Sequence, residues 1–266
     1  MSKTNILFIG AGRMAEAILS GLVSKKNDFE KITVTNENNK AKLERLRSSY
    51  HVNVSGNWSM ELDRHDVIVL ATPPDTHDML LRELSTKIKN QFIITVAAGI
   101  DPSYMETRLP KGAAVAWIMP NTGAQVGASM STFACGKYVE QKHRDVLAKV
   151  LSSIGESEEL SEEKVHDMTA ITGSAPAFLY SFADALEQAA MSYDIEPEQA
   201  RKLVTYMLKG SVAMLETGAS PKELMEQVAS PGGSTAEGLR VLEEADLLAI
   251  MKNAVKATND HARSNN

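Results

Sequence analysis

Two stretches of this chain carry residue types whose spacing serves chemistry better than packing. The first is Ser230-Pro231-Gly232-Gly233-Ser234-Thr235-Ala236-Glu237-Gly238-Leu239. Pro231 and the two glycines stop one helix, and Ser234-Thr235 stand where the next apolar-periodic segment, ending near Leu242, should begin. The first N–H groups of a helix lack internal partners and carry the positive end of its dipole, so a glycine-rich entry offers them to a small anion. Thr235 adds a hydroxyl beside that anion hole. Taken alone, the run also fits an ordinary capped turn, with Ser or Thr ahead of a helix.

The second stretch, Gly10-Ala11-Gly12-Arg13-Met14-Ala15, fits G-x-G-x-x-G/A, follows an expected strand and opens an expected helix, as the dinucleotide-binding fingerprint demands. Gly10 would make the tight turn, Gly12 would admit the pyrophosphate close to the backbone, and Ala15 would keep helix and strand together. A purely structural glycine turn is the alternative. About twenty residues further on, the second strand ends at Asn36 and not at the acid that usually grips an NAD ribose. That favours NADP(H), with NAD(H) as the alternative. The Asn36 amide can donate to a 2′-phosphate that a carboxylate would repel, and Lys40 can reach it from the next helix, while Glu37 argues the other way. Ala71-Thr72-Pro73-Pro74 and Val96-Ala97-Ala98-Gly99 follow two further strands, at the edge where open α/β sheets bind ligands, and their small residues suit a coenzyme wall. Routine strand-to-helix turns would read the same.

The elements that must hold these residues follow from periodicity. Short apolar runs at Ile6–Ile9, Ile32–Thr35, Val67–Ala71 and Phe92–Val96 alternate with helix-like segments, a parallel α/β pattern. Met14, Ala17, Ile18, Gly21 and Leu22 recur at the spacing of a crossover helix. Further strands are expected at Ala114–Ile118 and Met130–Ala134, then a helix near Gln141–Ser152, while Glu156–Lys164 reads as a solvated linker or helix face. Beyond about Leu160 the strand signal fades into helices broken at Gly173, Pro197, Gly218–Pro221 and Pro231–Gly233. The fold class expected is therefore α/β: a Rossmann-like parallel-sheet domain over 1–160, then an all-helical domain over 161–266.

Composition excludes several classes. Hydrophobic residues at 43% and charged residues at 23% describe an ordinary globular chain, and a net charge of −6 disfavours nucleic acid. Cys135 is the sole cysteine and, with six scattered histidines, leaves no disulfide framework and no zinc-ligand spacing, so no metal is expected. Its neighbours make Cys135 a small packed residue and not a nucleophile. Met1-Ser2-Lys3-Thr4 leads straight into a strand with no signal-peptide pattern, and a cytoplasmic protein is expected. No charged residue occurs from Met168 to Ala183, a run interrupted by Thr169, Thr172, Gly173, Ser174 and Pro176 and so unsuited to a membrane span. A helix buried on most sides explains it, and the small and apolar residues from Pro176 to Met191 point to partner-subunit contacts.

Met119-Pro120-Asn121-Thr122 and Thr172-Gly173-Ser174-Ala175-Pro176-Ala177, taken with Val96–Gly99 before them and the Ser230–Thr235 loop last, resemble pyrroline-5-carboxylate reductase over nearly the whole chain. The resemblance implies a nucleotide-binding domain joined to a helical dimerisation domain, with dimers or rings of dimers. It implies hydride transfer from NAD(P)H to the ring imine carbon of 1-pyrroline-5-carboxylate, giving L-proline. The substrate carboxylate would lie on backbone amides of Gly232, Gly233, Ser234 and Thr235, with Thr235 facing the imine nitrogen and Ser230 and Ser234 in support. Asn121, Thr122, Gly173 and Ser174 would line the substrate site, and Asn121 would also meet the coenzyme. Three departures stand out: many members carry Val-Lys-Pro at Thr72-Pro73-Pro74, arginine at Trp117 and a second proline at Gly123. They motivate one alternative, a catalytically silent nucleotide-binding paralogue. Another, a β-hydroxyacid dehydrogenase, would need a lysine four residues after Gly173, where Ala177 stands.

Overall fold

The computed structural model describes residues 4–24 and 29–264, so Met1–Lys3, read above as the lead into the first strand, lie outside the described residues. Two compact units emerge: one runs to Ser174 and takes up the chain again from Asn259, and the other is Ala175–Thr258. Each is described by itself.

The first unit is built on an eight-stranded sheet of β1 (Thr4–Ile9), β2 (Phe29–Thr35), β3 (Asn53–Ser55), β4 (Val67–Leu70), β5 (Phe92–Thr95), β6 (Val115–Met119), β7 (Ser129–Cys135) and β8 (Gly155–Glu159). Its order is β3-β2-β1-β4-β5-β6-β7-β8, parallel throughout except where β7 turns back on β6. The reversal follows from the connection, a single short helical turn at Thr122–Val126, which is too short for a parallel crossover. Helices α1 (Arg13–Ser24), α2 (Lys40–Tyr50), α3 (His77–Ser85), α4 (Pro102–Glu106) and α5 (Gln141–Ser152) fill the crossovers, and α6 (Glu162–Met168) follows β8.

Successive side chains of a strand point to opposite faces, and here both faces are covered, which is why the central strands are apolar without interruption. Ile6, Phe8, Val67, Val69 and Ile94 meet α1, α2 and α5 on one face. Leu7, Ile9, Ile68, Leu70 and Ile93 meet α3 and α4 on the other.

Two expectations need correction. Glu156–Lys164 is not one linker or helix face: Gly155–Glu159 forms the edge strand β8, and only Glu162–Lys164, at the start of α6, lie on a helix. Main-chain pairing with β7 overrides the poor strand propensity of this acidic run, whose charges suit an exposed edge. Nor does Gly173 break a helix: the chain stays helical from α6 through a π-helical turn at Thr169–Ser174 into the following helix. The expected boundary at residue 160 precedes that of the compact units because Val165 of α6 packs with Trp117, Met119 and Ala134 of the first unit.

The second unit is entirely helical: α7 (Ala175–Met191), α8 (Pro197–Leu215), α9 (Pro221–Val228), α10 (Ser234–Glu244) and α11 (Leu247–Ser264), the last ending in the first unit. Only Ala200 and Val204 are buried within it. The uncharged stretch expected to be buried on most sides forms much of α7, which buries no residue within this chain and leaves Leu179, Tyr180 and Phe182 open. No described helix is long and apolar enough to cross a membrane.

Gly21 exposes how closely α1 meets the end of α5, since a Cβ there would lie 2.1 Å from the Ser153 carbonyl oxygen. The gain in helix propensity from Gly21→Ala, about 1 kcal/mol, is smaller than the strain of forcing backbone apart, about 1–3 kcal/mol or more. Urea unfolding of Gly21→Ala should show a net loss of about 2 kcal/mol; equal or higher stability would contradict this packing.

Candidate active site

The carboxyl ends of β1, β2 and β4 converge on a cleft of about 350 Å³ lined by Gly10, Asn36, Glu37, Thr72 and Pro73 among others. Gly10 has φ +105°, and a Cβ on it would sit 2.5 Å from the Ala71 carbonyl oxygen, so both the turn and the close approach require glycine. Gly12 differs. Its absent Cβ would meet only that same oxygen at 3.6 Å, and the residue is exposed, leaving its outer side free for a ligand. Arg13 opens α1 beside it, exposed, while Ala11 is buried and Met14 packs against the core. Met14 can therefore offer a ligand only its backbone N–H at the helix start. An open glycine above uncommitted helix N–H groups is a cradle of the kind that holds a pyrophosphate, and the donor set fits a dinucleotide.

Asn36 folds its side chain back, Oδ1 accepting from the N–H groups of Asn38 (3.1 Å) and Asn39 (2.9 Å). The carboxamide NH2 is thereby its outward, donating end. Lys40 is the exposed first residue of α2, capped by Asn39, and stands outside the cleft lining. Trp58, Thr76, Met79 and Glu83 line the cleft without having been legible as site residues. They come from two short helical turns and from α3, where no motif marks them, and Met79 runs on into Leu80 and Leu81, so the sequence does not set it apart.

At the next strand ends, Ala97 is buried, Ala98 exposed and Gly99 has φ +79°. Asp101 caps α4 by accepting from the Tyr104 N–H at 2.7 Å. Burial raises its carboxyl, but the hydrogen bonds from His166 and Tyr104 outweigh this and hold it below the usual range. Burial pushes the Cys135 thiol up to about 11, with Glu159 adding to the effect, which matches an inert packed residue. Among the described residues no cluster of side chains could hold a metal.

Asn121 works as a bracket. Its Oδ1 accepts from the Gly123 N–H (2.8 Å), its Nδ2 donates to the Thr172 carbonyl (2.8 Å), and its own N–H donates to Ser129 Oγ (3.0 Å). Thr122 beside it is exposed, while Gly173 and Ser174 are half-buried in the π-helical turn. Such turns are frequent at functional sites. Gly123 is adapted to this chain: a Cβ would lie 2.6 Å from the Ala128 carbonyl oxygen, and its N–H is in use.

In the second unit, the Ser230–Thr235 run is not a turn capped by a Ser or Thr side chain. The N-cap of α10 is Gly233, with no side chain capping it, and Ser234 and Thr235 are the first helical residues, both exposed. Gly232 has φ +71°. The Gly233 N–H is already given to the Ser230 carbonyl at 3.0 Å, which removes one of the amides expected to hold an anion and leaves those at the helix start. Ser230 Oγ lies 2.8 Å from where a Gly233 Cβ would stand, so a larger residue there would have to turn the Ser230 hydroxyl aside.

Fold and site together define a class: a Rossmann-type chain with the fold of pyridine-nucleotide-dependent oxidoreductases and a second, helical unit. Residues 5–99 match the family model described as NADP oxidoreductase, coenzyme F420-dependent, and residues 162–265 match pyrroline-5-carboxylate reductase dimerisation. The chain is 33% identical to pyrroline-5-carboxylate reductase 1 of Bacillus spizizenii over 257 residues, covering 96% of this chain and 86% of that protein. The solved pyrroline-5-carboxylate reductase of Coxiella burnetii superposes with TM-score 0.89 at 28% identity, covering 99% of this chain and 98% of the other. The Plasmodium falciparum pyrroline carboxylate reductase, solved with NADP bound, gives 0.88 at 25% identity, with the same coverages of 99% and 98%. The chain belongs to the pyrroline-5-carboxylate reductase family.

Restoring the family's second proline should harm this chain. Gly123→Pro removes the N–H that Asn121 accepts, about 1 kcal/mol, and drives ring atoms into a backbone carbonyl. Denaturant titration should show a loss of about 2 kcal/mol or more, whereas a stabilised variant would mean that the bracket is not rigid.

Proposed function

We propose that this chain reduces 1-pyrroline-5-carboxylate to L-proline with a nicotinamide coenzyme, NADPH in preference to NADH. The observation that carries the substrate half is the start of α10, where a glycine cap leaves helix N–H groups without a side-chain partner beside two hydroxyls. The substrate carboxylate is placed on the N–H groups of Ser234 and Thr235, where charge-assisted hydrogen bonds and the helix dipole act together. The Thr235 hydroxyl orients the imine nitrogen, accepting from it when protonated and donating to it when neutral. Ser230 supports the loop through its carbonyl bond to Gly233.

The coenzyme supplies the hydride when bound. The chain's own contribution is to hold and orient, since a protonated imine is already electrophilic and requires no strong general acid. The cradle at Gly10–Met14, the walls at Ala71–Pro73 and Ala97–Gly99, and Asn121, Thr122, Gly173 and Ser174 are assigned to that task. The preference for NADPH is supported by Asn36, whose accepting oxygen is committed within the turn and whose NH2 is left for a 2′-phosphate, with Lys40 as a nearby cation. The protein is placed in the cytoplasm as a homodimer or ring of dimers, acting on a small molecule and on neither nucleic acid nor membrane.

Coenzyme oxidation on addition of pyrroline-5-carboxylate, followed with NADPH and NADH in parallel and with proline identified as product, tests the reaction and the preference. Turnover with a higher kcat/KM for NADPH is expected. Folded protein that binds coenzyme without turnover would point to the silent paralogue. Thr235→Ala should lower kcat/KM about tenfold or more, roughly 1.4 kcal/mol at the barrier, and unchanged kinetics would remove Thr235 from the mechanism. The exposed apolar side chains of α7, among them Tyr180 at 62% and Phe182 at 50%, are the surface assigned to the dimer. A monomer in sedimentation velocity at micromolar protein would overturn that assignment.

A further inference from the structure

A line of buried polar groups joins the ends of three neighbouring strands, and its side chains, those of His77, Thr95 and Trp117, have no role in the reaction proposed above. His77, the first residue of α3, is fully buried. Its Nδ1 lies 3.0 Å from the Pro73 carbonyl oxygen after β4, and its Nε2 lies 3.0 Å from Thr95 Oγ1 at the end of β5. Thr95 Oγ1, also fully buried, accepts the Ala97 N–H at 3.2 Å. The carbonyl of that same residue accepts from Trp117 Nε1 of β6 at 2.8 Å.

The direction of every bond follows from chemistry. A carbonyl only accepts, so the ring hydrogen resides on Nδ1; the bare Nε2 then accepts from the Thr95 hydroxyl, whose lone pair remains for the Ala97 N–H. Burial pushes His77 toward the neutral form that this arrangement needs. The Trp117 indole is held in turn: His166 lies against it with ring centroids 4.6 Å apart, and His166 Nε2 meets Asp101 Oδ2 at 3.0 Å. Asp101 follows the Ala97–Gly99 segment and caps α4, so the segment is tied down at both ends.

We infer that His77, Thr95 and Trp117 are positioning residues for coenzyme binding: together they set the backbone of Ala97–Gly99 and hold it in register with the Thr72–Pro73 wall. The inference rests on the coenzyme reading of the site. Both peptide groups of Ala97 that a coenzyme could displace are satisfied from behind by buried side chains, which leaves the segment a fixed surface. Thr72 and Pro73 line the cleft, so His77 couples the cleft to the neighbouring strand end. None of the three need touch the coenzyme to act.

The test is calorimetric titration of the full-length protein with NADPH, at a temperature where circular dichroism shows each variant folded. Thr95→Val keeps the shape and loses the hydroxyl, Thr95→Ser keeps the hydroxyl, and Trp117→Phe keeps an aromatic ring against His166 while losing the N–H. Thr95→Val and Trp117→Phe should each raise the NADPH Kd about tenfold, with Thr95→Ser restoring it to within a factor of about three. A merely structural role would lower thermal stability and leave Kd unchanged in the folded variants, and that result overturns the inference. Should Thr95→Val not fold, Trp117→Phe decides by the same criterion. Absence of NADPH binding by the unmutated protein would instead overturn the coenzyme reading, and this inference with it.

Discussion

The first unit depends on the contact between the β1–α1 turn and the end of β4. Gly10 turns there with positive φ and passes so near the Ala71 carbonyl that no side chain fits. Its N–H is given to Thr35 of β2 and the Ala71 N–H to Ile9, so three strand ends are bound together at one point. From that point α1 starts with Gly12 open, and the cleft forms between the same strand ends. A larger residue would separate β1 from β4 and dissolve the cradle, whatever the rest of the sheet did.

The second unit obeys a different constraint. A helical body that buries only Ala200 and Val204 has no adequate core of its own, and its apolar residues face outward in the isolated chain. The hydrophobic effect gives such a surface a strong tendency to be covered. Its match to a dimerisation family indicates that this chain oligomerises. The uncharged run that reads in sequence as a buried helix buries no α7 residue within one chain.

The three departures from the family pattern each have defined partners in this chain. In the structure Trp117 contributes a buried hydrogen bond to Ala97, Thr72 Oγ1 accepts from Thr76, and Gly123 fits beneath the Ala128 carbonyl. Each is integrated into its surroundings. The partners of Thr72 and Gly123 lie four and five positions along the chain, whereas Trp117 reaches back twenty positions to Ala97, a relation that leaves no local signal.

Sequence by itself determined the class of both units, six of the eight strands, α5 to the residue, and the position of the two glycine-rich turns that open α1 and α10, because these rest on local periodicity and on glycine's freedom at particular positions. It could not decide β8, whose glycine and four polar residues become a strand only through pairing with β7, nor β3, which is three residues long. It could not tell that Gly233 and not Ser234 caps α10, a matter of backbone dihedrals at one residue. Nor could it find Trp58 or Met79 in the cleft, or join His77, Thr95 and Trp117 into one line. Those relations exist only between segments apart in sequence, which packing and sheet pairing bring together.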